Sequence, residues 1–121
     1  MVNKELKNAV IRKMKINIDT ITRASKELIG NIIRTPTIRS QHLSSEINGE
    51  AFLKLENLQY TSSFKVRGAY TSIIRLKEEQ KKMGVIAMSA GNHAQAVAWW
   101  AKKERVNATI VMPEHAPLFK V

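Results

Sequence analysis

The sequence predicts an α/β protein: an open parallel sheet with a βαβαβ core, entered through two lead-in helices. Three observations carry this. From residue 50 onward, three short apolar runs (51–56, 85–89 and 106–112) alternate with two segments of helical period (about 63–80 and 94–103). Alternation of that kind with short connections implies a parallel sheet with right-handed crossovers. Upstream, residues 1–49 hold helical patterns that lead into an extended connection. The chain therefore divides into residues 1–49 and residues 50–121.

Taken in order, Leu6, Val10, Met14 and Ile18 recur at helical spacing among Lys4, Lys7, Arg12, Lys13 and Lys15, which predicts a solvated leading helix or arm over residues 1–18. A basic amphipathic start also suits a transit peptide, but this one has little serine and lysine in place of most of the arginine, and it lacks the apolar core of a secretory signal. A second helix is expected from Thr20 to Ile29, capped by Asp19 and ended by Gly30. Arg34-Thr35-Pro36-Thr37 forces an extended connection, because the residue before a proline is pushed out of the helical region. A short helical piece over Gln41–Ile47 ends at the turn signal Asn48-Gly49. Ala51-Phe52-Leu53-Lys54-Leu55-Glu56 reads as the first strand. Phe64, Ala69, Tyr70, Ile73, Ile74 and Leu76 then give the next helix an apolar face, and Lys81-Lys82-Met83-Gly84 turns the chain out of it. Val85-Ile86-Ala87-Met88-Ser89 is the second strand, a helix follows from Ala94 to Lys103, and Val106–Met112 is the third strand, stopped by Pro113.

Composition bounds the chemistry. With 121 residues, 44% of them hydrophobic, and a mean hydropathy of −0.24, the chain is globular rather than disordered. No apolar run approaches the roughly 20 residues that span a bilayer, and the expected location is the cytoplasm. There is no cysteine, so thiolate and disulfide chemistry are excluded. His42, His93 and His115 lack metal-ligand spacing, and no metal is expected. Twenty Lys and Arg against ten Asp and Glu give a net charge of +10. The basic residues are spread along the chain rather than gathered in a stripe, and aromatics make up only 6%. Both features disfavour nucleic acid as a partner.

The stretch Thr61-Ser62-Ser63-Phe64-Lys65-Val66-Arg67-Gly68-Ala69 joins a strand to a helix. Ser62 or Ser63 suits the N-cap, which puts Lys65 in the first helical turn. The partial positive charge of a helix N-terminus disfavours an ammonium there and favours a neutral, nucleophilic amine suited to Schiff-base formation. By spacing alone Lys65 is either such an amine or a solvated surface lysine. Ser89-Ala90-Gly91-Asn92-His93 forms a second strand-to-helix turn at the corresponding sheet edge, where ligands of open α/β sheets sit. Two adjacent helix N-termini make an anion-binding concavity, with Gly91 allowing close backbone approach. Asn92 and His93 are expected to project into one cleft with Lys65. The alternative for this loop is an ordinary turn with Ser89 as its cap.

Lys54-Leu55-Glu56-Asn57-Leu58-Gln59, the Thr61–Ala69 stretch and Ser89-Ala90-Gly91-Asn92-His93-Ala94-Gln95 together resemble the threonine dehydratase family, pyridoxal-phosphate lyases of the tryptophan-synthase-β fold group. Arg34-Thr35-Pro36, Val111-Met112-Pro113, Ala116-Pro117 and Lys120-Val121 match in order and spacing, so the resemblance runs from about Asp19 to Val121. It implies that Lys65 carries pyridoxal phosphate covalently and later moves the substrate's Cα proton. Phe64, with Ser63, flanks the lysine and shapes its pocket. Asn92 hydrogen-bonds the cofactor's 3′-oxygen, and Ser89, Gly91, Asn92 and His93 grip the substrate carboxylate. The reaction implied is loss of water from threonine or serine, giving a 2-oxo acid and ammonia, within amino-acid metabolism such as isoleucine biosynthesis. Residues 1–49 would belong to the large domain of the family and residues 50–121 to part of the small domain that carries the lysine.

Three departures stand out. The family usually has glycine at the positions of Ser62 and Ala96. It also has a glycine-rich loop for the cofactor phosphate, whereas the five glycines here (30, 49, 68, 84 and 91) include no adjacent pair. The fold is therefore expected to be incomplete relative to the family, and the chain alone inactive or nearly so, with apolar faces exposed. Three functions follow in order: a truncated threonine or serine ammonia-lyase; a subunit of a split enzyme, completed by another chain or assembled with further copies; and, well behind, a basic nucleic-acid-binding module.

Overall fold

The computed structural model of the chain describes residues 16–116. The leading helix predicted over residues 1–18 and the matches beyond Ala116 lie essentially outside them. Helix α1 spans Ile18–Leu28. Its cap is Asn17, not Asp19: the Asn17 side chain accepts from the Thr20 N–H at 2.9 Å, and the Thr20 hydroxyl oxygen accepts from the Asn17 N–H at 3.1 Å. Asp19 lies in the first turn instead, where its charge meets the positive helix end. Gly30 follows the helix in a left-handed conformation (φ 77°), and Leu28 enters the core.

Strand β1 (Thr37–Arg39) leads through helix α2 (Gln41–Glu46) to strand β2 (Phe52–Lys54). Ser40 caps α2 by accepting from the Leu43 N–H at 3.3 Å, and Asn48 turns the chain at φ 49°. The α/β class is as predicted, but the place of the first strand is not. β2 pairs antiparallel with β1, in register Thr37↔Lys54, Ile38↔Leu53 and Arg39↔Phe52, rather than joining a three-stranded parallel sheet. Closing the short loop around α2 costs little chain entropy. Beyond β2, a tight 3-10 turn (Glu56–Leu58) and a second tight turn over Tyr60–Ser62, left-handed at Thr61 and Ser62, divert the chain before the next helix.

The helix expected over 63–80 is two helices, α3 (Lys65–Ile74) and α4 (Glu78–Met83). The break falls where Lys77 is extended and Glu78 and Glu79 open a fresh helix with acids at its positive end. The Gln80 side chain accepts from the Lys77 N–H at 2.9 Å and holds that start. Strand β3 (Val85–Met88), helix α5 (Asn92–Lys103) and strand β4 (Ala108–Val111) complete a parallel β-α-β unit, in register Val85↔Ala108 through Met88↔Val111.

The core lies between α3, α5 and the inner face of β3. Val66, Ala69, Tyr70 and Ile73 meet Ala96, Val97, Trp100 and Ala101, with Ala87, Val106 and Leu28 around them. Ala96 and Ala101 on α5 let the helices approach closely. Ala96, where the family resemblance expects glycine, is fully buried. Trp100 donates its Nε1–H to the Val66 carbonyl at 2.9 Å, and its ring lies 4.5 Å from that of Tyr70 at 48°. The outer face of the parallel sheet is bare: Ile86 is 78% and Met88 82% exposed. A salt bridge from Arg75 to Glu27 (2.6 Å) ties α1 to α3.

Gly84 enters β3 at φ 84°, and a Cβ there would fall 2.7 Å from the Asn107 carbonyl oxygen, which accepts from the Val85 N–H at 2.8 Å. Both the left-handed backbone and the contact penalise a side chain. Gly84→Ala is expected to destabilise the fold by about 2–4 kcal/mol, read as a lower urea midpoint.

Candidate functional site

Lys65 is the first residue of α3. The position ahead of it is Phe64, so neither Ser62 nor Ser63 is the N-cap. Ser63 nonetheless serves the helix start: its buried hydroxyl accepts from the Lys65 N–H at 3.4 Å. The Lys65 side chain is exposed, its Nζ 5.1 Å from the centre of the Phe64 ring. Among the described residues no carboxylate pairs with it.

Lys65 opens onto a cavity of about 540 Å³ whose wall includes Phe64, Gly68, Ala87, His93 and Val97. Gly68 lies three residues on, on the same helix face. Nothing stands within 4 Å of where its Cβ would be, so its absent side chain leaves open space beside the amine. A glycine inside a helix costs roughly 1 kcal/mol relative to alanine, and that cost secures the opening.

The second turn reaches the same region from α5. Ser89 donates its N–H to the Val111 carbonyl at 3.0 Å and accepts the Gly91 N–H on its hydroxyl at 3.1 Å. Gly91 caps α5, with open space where a side chain would stand. Asn92 and His93 begin the helix and are exposed. His93 lines the Lys65 cavity. Ser89, Gly91 and Asn92 form the loop leading to it without lining that wall. The structure thus joins Lys65, Phe64 and His93 in one cavity and keeps the other three beside it.

Sequence reasoning passed over a second cluster. Arg67 grips Glu56 with both arms of its guanidinium, Nε to Oε2 at 2.8 Å and Nη2 to Oε1 at 2.7 Å. Thr35, 2% exposed, donates its hydroxyl to Glu56 Oε1 at 2.5 Å, and Lys54 donates to the Thr35 carbonyl at 2.5 Å. The Arg67 hydrogen bond holds the Glu56 carboxyl down to about 2 from 4.5, against an opposing effect of burial and with further help from Thr35. The same bond raises Arg67 above its ordinary value. Close by, Gln59 is buried and bridges the backbone of Ile33, accepting its N–H at 3.0 Å and donating to its carbonyl at 2.8 Å. These bonds stitch the chain on either side of residue 49 together and brace the first turn of α3. The signal was present in Arg34-Thr35-Pro36, Lys54-Leu55-Glu56 and Arg67, but a bond between distant residues has no periodicity to reveal it.

Comparison with known proteins settles the family. The family model described as pyridoxal-phosphate dependent enzyme matches residues 28–121. The chain belongs to that family. Members of this pyridoxal-phosphate family similar to the chain include an L-threonine ammonia-lyase of Thermotoga maritima, 50% identical over 106 residues. The catabolic L-threonine dehydratase TdcB of Staphylococcus aureus is 52% identical over 106 residues. The alignments cover 88% and 87% of this chain but 26% and 31% of those relatives. Among solved structures, maize serine racemase superposes with a TM-score of 0.79 at 39% identity, over 86% of this chain and 32% of its own. Threonine deaminase isoform 2 of Solanum lycopersicum gives 0.69 at 33% identity, over 87% and 32%. The resemblance to threonine dehydratases is borne out, and the small sheets cover only part of the fold those neighbours share. The family depends on pyridoxal phosphate.

The residues fit the lysine end of such a cofactor: an exposed amine, a flat Phe64 ring beside it and the opening left by Gly68. For the phosphate end the sequence offers no glycine-rich loop.

Two tests follow. Gly68→Ala is expected to stabilise the chain by about 0.5–1 kcal/mol while slowing modification of Lys65 by pyridoxal phosphate, which stability and labelling measurements read separately. For Glu56, a folded value depressed from 4.5 to about 2 means that its contribution is complete above pH 4.5 and is lost as pH falls towards 2. Urea midpoints should fall more steeply over that window for the parent chain than for Glu56→Gln. At neutral pH that variant should cost about 1–3 kcal/mol.

Proposed function

We propose that this chain is the lysine-bearing part of a threonine or serine ammonia-lyase. Residues 50–121 would form part of its small domain and residues 1–49 belong to its large one. The observation that carries the reading is the exposed Lys65 at the head of α3, beside Phe64, with open space at Gly68 and His93 on the same cavity wall. Pyridoxal phosphate, held at Lys65 until the substrate amine displaces it, would supply an electron sink that makes the substrate's Cα proton acidic and lets the β-hydroxyl leave. The chain's own residues do the rest. Lys65 Nζ would hold the cofactor and, once freed from it by the substrate amine, would move the Cα proton. Asn92 orients the cofactor ring through its oxygen substituent. Ser89, Gly91, Asn92 and His93, at the positive end of α5, hold the substrate carboxylate. Threonine loses water to give an enamine, and water hydrolyses the enamine to 2-oxobutanoate and ammonia. The similarity to lyases named for threonine supports that substrate, and the similarity to a serine racemase supports a serine-sized alternative.

On its own the 121-residue chain turns threonine over poorly or not at all, because its sequence has no glycine-rich loop to hold the cofactor phosphate. The bare Ile86 and Met88 face favours a second reading, in which further chain of the family type completes the site.

The test is addition of pyridoxal phosphate, borohydride reduction and peptide mass mapping, with Lys65→Ala as control. One adduct at Lys65, absent from the variant, is the expected result. Label spread over many lysines and unchanged by the substitution would sink the reading.

A further inference from the structure

The two residues ahead of Ser63 hold a backbone conformation that their side chains disfavour. Thr61 (φ 57°) and Ser62 (φ 52°) are both left-handed, a region where a β-branched residue is an outlier. Local bonding holds chiefly the start of the turn, where the Gln59 side-chain oxygen accepts from the Tyr60 N–H at 3.1 Å. The turn is closed by the Ser62 N–H donating to the Gln59 carbonyl at 2.8 Å, and the buried Thr61 hydroxyl has no partner. Strained backbone persists only where its surroundings over-determine it. Here the surroundings are aromatic. Tyr60 stacks on Trp99 of α5, ring centroids 5.4 Å apart and planes 25° apart. Lys103 Nζ, one turn further along α5, lies 5.1 Å from the Tyr60 centroid, 4.8 Å from Trp99 and 5.3 Å from Trp100, all inside the roughly 6 Å reach of a cation–π attraction.

We infer that Tyr60, Trp99 and Lys103 form a clamp that positions Lys65, and the importance of that position rests on the proposed role of Lys65 in holding the cofactor. The clamp fastens the Tyr60–Ser62 turn to α5 and keeps Thr61 and Ser62 left-handed without a glycine. It thereby sets the direction in which the chain enters α3, whose first residue is the lysine. His93 begins the same helix that carries Trp99 and Lys103, so one element sets both walls of the cavity. Tyr60, Trp99 and Lys103 are positioning residues.

The experiment is a double-mutant cycle on the 121-residue protein, with denaturant midpoint and rate of Lys65 labelling as separate readouts. Ser62→Gly relieves the strain and is expected to raise the midpoint of the parent. Trp99→Leu frees the turn to relax, so in that background Ser62→Gly should no longer raise it. Trp99→Leu is also expected to slow the pyridoxal-phosphate labelling of Lys65 by about three- to tenfold, the span one aromatic pair contributes. Trp99→Phe, which keeps a ring for Tyr60, should hold the parent rate, and Ser62→Gly should restore part of the rate lost in Trp99→Leu. Equal effects of Ser62→Gly in both backgrounds, or a Trp99→Leu rate equal to the parent's, would overturn the inference. If the parent itself shows no selective Lys65 adduct, the cofactor reading fails, and the midpoint cycle alone then decides whether the clamp holds the turn.

Discussion

The contact on which the rest depends is the packing of α3 against α5, sealed where Trp100 donates its indole N–H to the Val66 carbonyl. That carbonyl lies in the first turn of α3, one residue past Lys65. The bond therefore fixes the start of one helix against the body of the other, in a core where Val66 is fully buried. Small residues on α5 bring the axes close, and closeness sets the two helix N-termini side by side. A site made of two helix starts needs that geometry before it needs any particular side chain.

Around this packing, polar groups are used sparingly. Glu56 and Arg67 satisfy one another in a two-pronged pair, and Thr35 takes one of the remaining lone pairs. Arg67 is thereby engaged away from the cavity wall that Lys65 lines, which leaves the lysine as the cation there. The arrangement separates the roles of two neighbouring basic residues in one helical turn: one braces, the other stays free.

Much of the fold was legible in the sequence because it is written in local periodicity. The spans near 41–47, 85–89 and 94–103, and the placement of Lys65 at a helix start, come from patterns within a few residues of one another. The partner of β2 did not, since an apolar run announces a strand but not what it pairs with. The break at Arg75–Lys77 was hidden because no proline or glycine marks it; Lys77 and the acids after it restart the helix. At α1, Asn17 outcompeted Asp19 because the reciprocal bonds with Thr20 need a spacing of three residues, which Asn17 has. Of the candidate site, the sequence brought out the residues at both helix starts. It placed His93 and Asn92 alike in the Lys65 cleft and could not tell that only His93 lines the cavity wall while Asn92 stands aside, for that depends on how the helices are rotated in the packed core.

The bare outer face of β3 has a colloidal consequence. Ile86 and Met88 present apolar surface on a molecule carrying a net charge of +10. At low ionic strength, repulsion between copies keeps such faces apart. Salt shortens the reach of that repulsion to about 10 Å at 0.1 M and leaves the attraction between apolar patches intact. Dispersal of this chain in solution is thus a balance between its charge and its uncovered sheet, and salt weights that balance toward association.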